Sequence, residues 1–187
     1  MNDTIKVLLD RRSVRVYDDR PVSKEDLDTI VKCGQYAASA NGRQPWHFTV
    51  ITDRALLDRI SAANRDAVLA DPNTPADARE AAMEPAFHSF RGAPAAILVS
   101  AENDRVNTIA DCANATENMA IAAKALGLGS CYLASHKAAM IAPGGEALKK
   151  AAGTPDGYIP YFALAVGYPA EDPAPAPRRA GTVSYLG

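Results

Sequence analysis

The sequence has few cysteines and no long apolar run, and both features define large classes of protein. Its 187 residues include only three cysteines, an odd count with no Cys-x-x-Cys pair. A disulfide framework is therefore not expected, and a reducing cytoplasm is the predicted location. No apolar run is long enough to span a bilayer, and the first residues lack the apolar core of a signal peptide. We therefore expect no membrane partner.

Charge and histidine content argue against two further classes of function. The net charge is -2 and the isoelectric point is about 5.9, whereas nucleic-acid-binding domains are usually strongly basic. Nucleic acid is therefore not an expected partner, although a local anion site is compatible with this balance. His47, His88 and His136 are scattered without the spacing of metal ligands, so no metal site is expected.

One short stretch nevertheless concentrates positive charge. Within DRRSVRVYDD, three arginines occupy five consecutive positions and a serine lies among them. Guanidinium groups present fixed sets of donors that suit phosphate, and a serine hydroxyl adds another donor. Residues 11–15, called the arginine turn below, therefore predict an anion site, the alternative being solvated surface arginines. Its polar members are Arg11, Arg12, Ser13 and Arg15.

Capping residues and hydrophobic periodicity predict several helices. Ser23 and Asp26 have the spacing of a capping box at the start of an amphipathic helix. Thr74 is expected to cap another helix that has Pro75 at its first position. The longest helix is rich in alanine and should stop at Gly127. Helices are expected over 3–10, after Ser23, over 54–70, after Pro75, from about Asp104 to Leu126, and after Ser135 as cap.

Apolar runs bounded by polar or turn residues predict strands between these helices. The expected strands cover 46–52, 95–100, 130–134 and 158–167. The last segment holds several prolines, so it cannot be a helix and is expected to be an extended arm. This arm carries a second basic pair, Arg178 and Arg179, which could converge on the anion of the arginine turn. The mixture of elements predicts an α+β or α/β fold.

A second polar stretch, SANGRQP, precedes the first predicted strand. Its Asn, Gly and Pro predict a loop. Asn41 and Gln44 carry amides that both donate and accept hydrogen bonds, which suits the polar edge of a heterocycle. The alternative is a polar loop that makes only its own turn, with Trp46 as a core anchor.

Four segments together resemble the FMN-dependent nitroreductase family. RRSVRVYDDRPVSKEDLDTIV is similar to the family's opening, an Arg-x-Ser-x-Arg/Lys pattern followed by an aromatic residue and a Pro-Val segment that leads into a helix. ANGRQPWHFTVI is similar to its Asn-x-Gln-Pro-Trp segment, with one extra residue between Asn41 and Gln44. AIAAKALGLGSCYL resembles the helix that ends in Gly-Leu-Gly, and YFALAVGYPAEDPAPAPRR resembles the final strand and basic tail. The segments follow the family order and span nearly the whole chain.

The resemblance implies an α+β fold with a central mixed, mainly antiparallel sheet flanked by helices. It also implies an intertwined homodimer that binds FMN at the subunit interface. Residues 1–168 would form a single FMN-binding domain. Residues 169–187, called the C-terminal arm below, would be exchanged with the partner subunit or lie on it.

The resemblance further implies which residues hold FMN. Arg11 and Ser13 would contact the phosphate and ribityl end with help from Arg12, partly through its backbone. Arg15 would reach the pyrimidine edge near N1 and O2. The polar edge of the flavin would be met from the partner subunit by some of Asn41, Arg43 and Gln44. The residues expected near the flavin ring are Leu133, Ala134 and Ser135. The phosphate would also be contacted by Arg178 or Arg179.

The implied reaction is ping-pong hydride transfer from NAD(P)H through FMN to a nitroaromatic, a quinone or a related electron-poor molecule. Arg15, which stays protonated, would favour the negative charge of reduced flavin, so no dedicated acid or base is needed. His136 is a candidate substrate contact, the alternative being a surface histidine at a helix start. Phe87 and Phe90 are further candidates for stacking on a substrate, with core packing as the alternative.

Three other interpretations remain open from the sequence. The same fold could serve another flavin reaction, such as dehalogenation, ring oxidation or flavin breakdown. It could also belong to a non-catalytic flavin-binding or redox-sensing protein. An unrelated anion-binding module would bind phosphate but no flavin.

Overall fold

A computed structural model of the chain describes residues 1–102 and 105–187. Its strands are β1 (Trp46–Ile51), β2 (Ala95–Ala101), β3 (Gly129–Leu133) and β4 (Ile159–Gly167). Its α-helices are α1 (Asp3–Asp10), α2 (Lys24–Gln35), α3 (Arg54–Ala70), α4 (Ala76–Met83), α5 (Val106–Ala125), α6 (Ala138–Ile141) and α7 (Glu146–Ala151). The helices predicted over 3–10 and 54–70 and all four predicted strands are confirmed. The predicted start of the longest helix, Asp104, lies outside the described residues.

The four strands form one sheet in the order β1-β2-β4-β3, and each neighbouring pair is antiparallel. A single parallel bridge between Ser13 and Ser130 adds the arginine turn to the β3 edge. Both central strands, β2 and β4, are almost continuously buried, which agrees with their largely apolar sequences. The expected α+β class with a mainly antiparallel central sheet is confirmed.

Alternate residues of the central strands face two separate apolar layers. On one face, Ile97 and Val99 of β2 pack with α2 and α5, where Met119 is fully buried. On the other face, Ala96 and Leu98 pack with α3 and its neighbours. The sheet is therefore covered on both sides by helices. Among the described residues, no helix combines the length and apolar character that a bilayer crossing requires.

Several helix ends follow the predicted chemistry. The Ser23 hydroxyl oxygen accepts a hydrogen bond from the Asp26 backbone N–H at 3.0 Å, which confirms the predicted cap. At the end of α5, Gly127 has a φ of 77°, a left-handed conformation that favours glycine. The Leu128 N–H then donates to the Ala123 carbonyl at 2.8 Å, so α5 ends where the sequence predicts.

Two predicted caps are wrong. Thr74 does not cap α4, because its hydroxyl donates to the Val68 carbonyl at 2.7 Å and so completes the end of α3 instead. Pro75 occupies the N-cap position, and α4 begins one residue later. Ser135 begins a 3-10 turn, and its side chain caps no helix.

The C-terminal arm contains no helix among its residues, as its prolines predict. Near its start, Tyr17 and Pro169 form an isolated antiparallel bridge. Beyond that anchored start the arm is largely exposed, and its apolar residues include Tyr185 and Leu186, which are 94% and 97% exposed. These exposed apolar residues have no packing partner among the residues that the structure describes.

Candidate functional site

The arginine turn is attached to the edge of β3 by backbone contacts. The Val14 N–H donates to the Ser130 carbonyl at 2.9 Å, beside the bridge between Ser13 and Ser130. Gly129 permits this approach, because a Cβ at that position would lie 2.9 Å from the Val14 Cβ. The turn and β3 therefore form one surface.

The three arginines of the turn have different partners. Arg11 Nε lies 3.2 Å from a carboxylate oxygen of Glu117 on α5. Arg12 Nη1 donates to the Leu9 carbonyl at 2.6 Å, which satisfies a free carbonyl at the end of α1. Arg15 has an exposed side chain whose Nη1 donates to the Ser13 carbonyl at 3.3 Å. Arg11 and Arg15 thus remain at the surface, whereas Arg12 mainly completes a helix end.

Glu171, in the C-terminal arm, binds the backbone of the arginine turn. Its Oε1 accepts hydrogen bonds from the N–H groups of Arg15 and Val16, the second at 3.2 Å. The Asp18 N–H donates to the Tyr168 carbonyl at 2.9 Å. The start of the arm and the arginine turn therefore hold each other in place.

Arg91 is a fourth arginine beside this surface that the sequence does not predict. It follows Phe90 with a φ of 58°, a backbone conformation that no local pattern signals. Burial raises the pKa of the Cys131 thiol. The charges of Arg15 and Arg91 oppose that rise, and so does a hydrogen bond between the Arg91 side chain and the thiol. The side chains of Arg15 and Arg91 therefore approach the same residue of β3. Cys131 itself is a buried core residue.

The segment predicted to lie near the flavin ring, Leu133 to Ser135, follows the end of β3. Leu133 is buried, whereas Ala134 and Ser135 are exposed. Asn64 of α3 holds this segment in place, because its Nδ2 donates to the Ser135 carbonyl at 2.7 Å. Leu133 lies three residue steps along the strand from Ser130, roughly 10 Å. The arginine turn and the exposed segment thus border the two ends of one strand.

His136 directly follows this segment in the chain and is fully buried, so the surface position proposed from the sequence is wrong. Its ring lies 6.1 Å from that of Phe90, and neither ring nitrogen has a hydrogen-bond partner in the described structure. Burial, with a smaller contribution from the Lys137 charge, lowers the pKa of His136 from 6.5 to about 3. The imidazole is therefore neutral at ordinary pH, whereas its chain neighbours Ala134 and Ser135 are exposed.

The two phenylalanines considered as substrate contacts have different surroundings. Phe90 is fully buried in the core layer under α3. Phe87 is half-buried and lines an open cleft of about 530 Å³ with Asp58, Arg65 and His88. Core packing thus accounts for Phe90, whereas Phe87 borders open space.

The residues Ser39–Gln44, called the amide loop below, lie beside the first half of α5. Asn41, Arg43 and Gln44 are all exposed. The loop backbone is anchored by the Ala40 N–H, which donates to a carboxylate oxygen of Asp111 at 3.0 Å. Asp111 precedes Glu117, the partner of Arg11, by six residues, which is about 9 Å along a helix and about 120° around it. Within one chain, the amide loop and the arginine turn therefore contact different faces of α5.

The last predicted pair, Arg178 and Arg179, is exposed in the C-terminal arm. The cleft beside the arginine turn, which Arg11, Arg12 and Glu171 line, has a volume of only about 80 Å³. Sites for cofactors typically occupy about 300–1,000 Å³. This cleft by itself is therefore smaller than such a site. The described residues include no cluster of three or more His, Cys, Asp or Glu side chains that could hold a metal.

Comparison with known proteins agrees with this geometry. A model of the nitroreductase family matches residues 8–168. A protein of Archaeoglobus fulgidus, "Putative NADH dehydrogenase/NAD(P)H nitroreductase", is 33% identical over 180 residues, 92% of this chain and 88% of the relative. "FMN reductase (NADPH)" of Bacillus subtilis is 28% identical over 180 residues, 95% of this chain and 70% of the relative.

Solved structures agree at the level of the fold. A nitroreductase with bound FMN from Bacteroides fragilis has a TM-score of 0.90 and 28% identity, and the match covers 100% of both chains. A nitroreductase with bound FMN from Desulfitobacterium hafniense also has a TM-score of 0.90 over 100% of both chains, and at 24% identity it supports the fold alone. The expected nitroreductase-like fold is confirmed, and with the family match over most of its length this chain belongs to the nitroreductase family.

Proposed function

We propose that this protein is an FMN-dependent oxidoreductase that uses NAD(P)H to reduce a nitroaromatic, a quinone or a related electron-poor small molecule. The observation that carries the proposal is the arginine turn on the edge of β3, a strand whose other end leads into the exposed Ala134 and Ser135. Relatives named as an FMN reductase and as FMN-bound nitroreductases support the choice of cofactor.

The donor set of the arginine turn fits the anionic end of FMN. Arg11 and Ser13 would hold the phosphate and the ribityl chain, with the exposed Arg178 or Arg179 closing from the C-terminal arm. Arg11 would exchange its ion pair with Glu117 for the phosphate, and this exchange costs little because both side chains are partly exposed. Arg12 would help mainly by holding the end of α1. The exposed small residues Ala134 and Ser135 would lie against the ring.

When bound, FMN supplies reversible hydride chemistry between a nicotinamide and an electron-poor acceptor. Arg15 would hold a permanent positive charge at the pyrimidine edge, where it stabilises added negative charge. The amide loop would complete the polar edge from the second subunit through Asn41, Arg43 or Gln44. His136, neutral and buried, would support Ser135 from behind. No side chain needs to form a covalent bond to the substrate.

We propose that the active unit is a homodimer. Helix α1 has no buried residue and exposes Ile5, Leu8 and Leu9 on one face, at positions that lie together on a helix. The outer edge of β1 borders an open groove of about 910 Å³ between α2 and β1, lined in part by Tyr36, Trp46 and Phe48. An apolar face and an open groove of this size fit a second chain.

We further propose that the C-terminal arm, residues 169–187, leaves its own domain, residues 1–168, after its anchor at Glu171. Its apolar end, around Tyr185 and Leu186, would lie on the partner subunit. A free strand edge such as that of β1 can bind an extended segment through main-chain hydrogen bonds. A cytoplasmic location stays a prediction from the cysteine content.

Visible spectroscopy of the purified protein tests the proposed function. Flavin bands that bleach when NADH or NADPH is added without oxygen, and return when a nitroaromatic or quinone is added, are the expected result. Bands that bleach but do not return with either acceptor would favour another flavin reaction, such as dehalogenation, ring oxidation or flavin breakdown. Bands that persist with both nucleotides would favour a flavin-binding or redox-sensing protein. A protein that takes up no FMN would contradict the proposal.

A further inference from the structure

The amide loop holds an unusual number of residues in the left-handed backbone region. The φ angles are 54° for Asn41, 64° for Gly42 and 48° for Gln44. Two of these residues have a side chain, and for such residues this region is costly, on the order of 1–3 kcal/mol each. A conformation of this kind persists only where the surrounding structure holds it.

Hydrogen bonds from inside and outside the loop hold this conformation. Inside the loop, the Ser39 hydroxyl oxygen accepts from the Gln44 N–H at 3.1 Å, and the Ser39 carbonyl accepts from the Gly42 N–H at 3.0 Å. From outside, Asp111 of α5 accepts from the Ala40 N–H at 3.0 Å. Asp111 therefore binds the backbone directly before the left-handed residues.

Asp111 belongs to a row of polar side chains on one face of α5. Asn114 and Asn118 follow it at three and seven residues, a spacing that keeps all three on one side of a helix. Asn114 Nδ2 donates to the Ala38 carbonyl at 3.4 Å, and Asn118 Nδ2 donates to the Cys33 carbonyl at 3.2 Å. The row thus follows the chain from the end of α2 into the amide loop, and Asp111 is the member at the loop.

Asp111 differs from its two neighbours in burial and charge. It is only 5% exposed, whereas Asn114 is exposed. Its charge contributes to raising the pKa of the adjacent Cys112 thiol, after the larger effect of burial. A buried carboxylate forms a stronger hydrogen bond to a backbone N–H than a neutral acceptor does. Removing it leaves the half-buried Ala40 N–H without that acceptor.

We infer that Asp111 is a positioning residue that holds the amide loop in the conformation in which its side chains reach the flavin of the partner subunit. The inference rests on the proposed function. Asp111 does not touch FMN itself, and it acts through the backbone of Ala40. The loop is therefore arranged before the cofactor binds, which lowers the cost of ordering it on binding.

The test compares Asp111→Ala and Asp111→Asn with the matched control Asn118→Ala, which removes a bond from the same helix face to the end of α2. FMN is titrated into each apo-protein, and amide hydrogen exchange of residues 40–44 is measured before FMN is added. For Asp111→Ala we expect about tenfold weaker FMN binding or more, with faster exchange at Ala40. Asp111→Asn should be intermediate, because its amide oxygen accepts the bond without a charge. The control should stay within about twofold of wild type, with an unchanged spectrum of bound flavin.

Wild-type FMN affinity in a folded Asp111→Ala protein would overturn the inference, and so would an Asn118→Ala protein that is equally impaired. If Asp111→Ala does not fold, Asp111→Asn and Ser39→Ala replace it, and wild-type affinity in both would overturn the inference. Failure of the proposed function looks different, because then the wild-type protein takes up no FMN. In that case the exchange rates of the apo-proteins still decide whether Asp111 holds the loop.

Discussion

Three arginines within five positions have three different surroundings, and this difference separates their roles. Arg12 donates to carbonyl groups at the end of α1, so its charge serves the fold. Arg11 is paired with Glu117 at 3.2 Å. Arg15 is exposed, and its charge reaches Cys131 inside β3. The charge of Arg11 also lowers the pKa of that thiol, but less than the charge of Arg15 does, so of the three Arg15 is the one whose charge acts most strongly at this strand.

Replacement of Arg15 by alanine should lower the reduction potential of bound FMN more than it weakens FMN binding. The cation stabilises negative charge added to the pyrimidine edge, and its loss removes that stabilisation from the reduced form. We expect a decrease of about 30 mV or more, which equals about 1.4 kcal/mol in a two-electron couple. Spectroscopic redox titration measures it. Arg20→Ala is the matched control, because it also removes one arginine, but one that is not among the residues proposed to bind FMN. Arg20 instead stacks on Tyr168, 3.3 Å from the ring centroid. Equal potentials in wild type and Arg15→Ala would refute the role.

His136 should make the protein sensitive to acid. Burial and the Lys137 charge lower its pKa in the folded state from 6.5 to about 3. Between these pH values the unfolded chain binds a proton that the folded chain does not, so stability falls as pH falls from about 6.5 toward 3. The loss is at most about 1.4 kcal/mol per pH unit. Urea unfolding at pH 7 and pH 4.5 should therefore show a smaller acid loss for His136→Leu than for wild type. Parallel losses in the two proteins would contradict the assignment.

At the scale of elements, the close approach of the arginine turn to β3 depends on a missing side chain. Gly129 faces Val14, and a Cβ on residue 129 would lie 2.9 Å from both the Cβ and Cγ1 of that valine. Val14 is buried and β-branched, so it cannot easily turn away. The glycine therefore sets the distance between the turn and the strand.

Gly129→Ala should displace the arginine turn and weaken FMN binding, with a loss of stability of about 1–3 kcal/mol from overpacking. Val14→Ala in the same chain should restore part of both losses, because it removes the atoms in conflict. A double-mutant cycle on FMN affinity and on the free energy of unfolding measures this coupling. If the two changes simply add, the contact does not position the turn.

The elements that the sequence predicts well are those defined by local signals. Ser23, Gly127 and the apolar run of β2 act within a few residues, and each produces the expected cap, stop or strand. Thr74 is mispredicted because its hydroxyl donates to a carbonyl six residues earlier, at the end of another helix. Local pattern does not distinguish these two partners.

The candidate site likewise contains parts that local sequence predicts and parts that it does not predict. The arginine turn and the amide loop are each one continuous stretch of sequence, so composition and motifs predict where each of them lies. Asp111 is 71 residues from the backbone group it binds, and Arg91 owes its position to a left-handed backbone. Both depend on the folded chain, and neither has a local signal. The burial of His136 likewise depends on Phe90 and α3, which surround it only in the fold.

At the scale of the whole molecule, the distribution of exposed apolar groups favours assembly. The face of α1 and the end of the C-terminal arm leave large apolar side chains exposed, and Tyr36, Trp46 and Phe48 line part of the groove beside β1. The cleft beside the arginine turn has a volume of only about 80 Å³. A dimer would cover the apolar surfaces and complete the cleft at the same time. Dimerisation and cofactor binding are therefore expected to be coupled.

Truncation after Tyr168 should weaken the dimer and FMN binding together, because it removes both the proposed intersubunit arm and the pair Arg178 and Arg179. It also removes Glu171, which binds the arginine turn within its own chain. A second truncation, after Glu171, keeps that bond and separates the two effects. Sedimentation velocity measures the assembly, and flavin absorbance of the same samples measures the bound cofactor. We expect a large monomer fraction for both truncations at concentrations where the full chain is dimeric. If the chain that ends at Glu171 stays fully dimeric, the arm does not hold the subunits together.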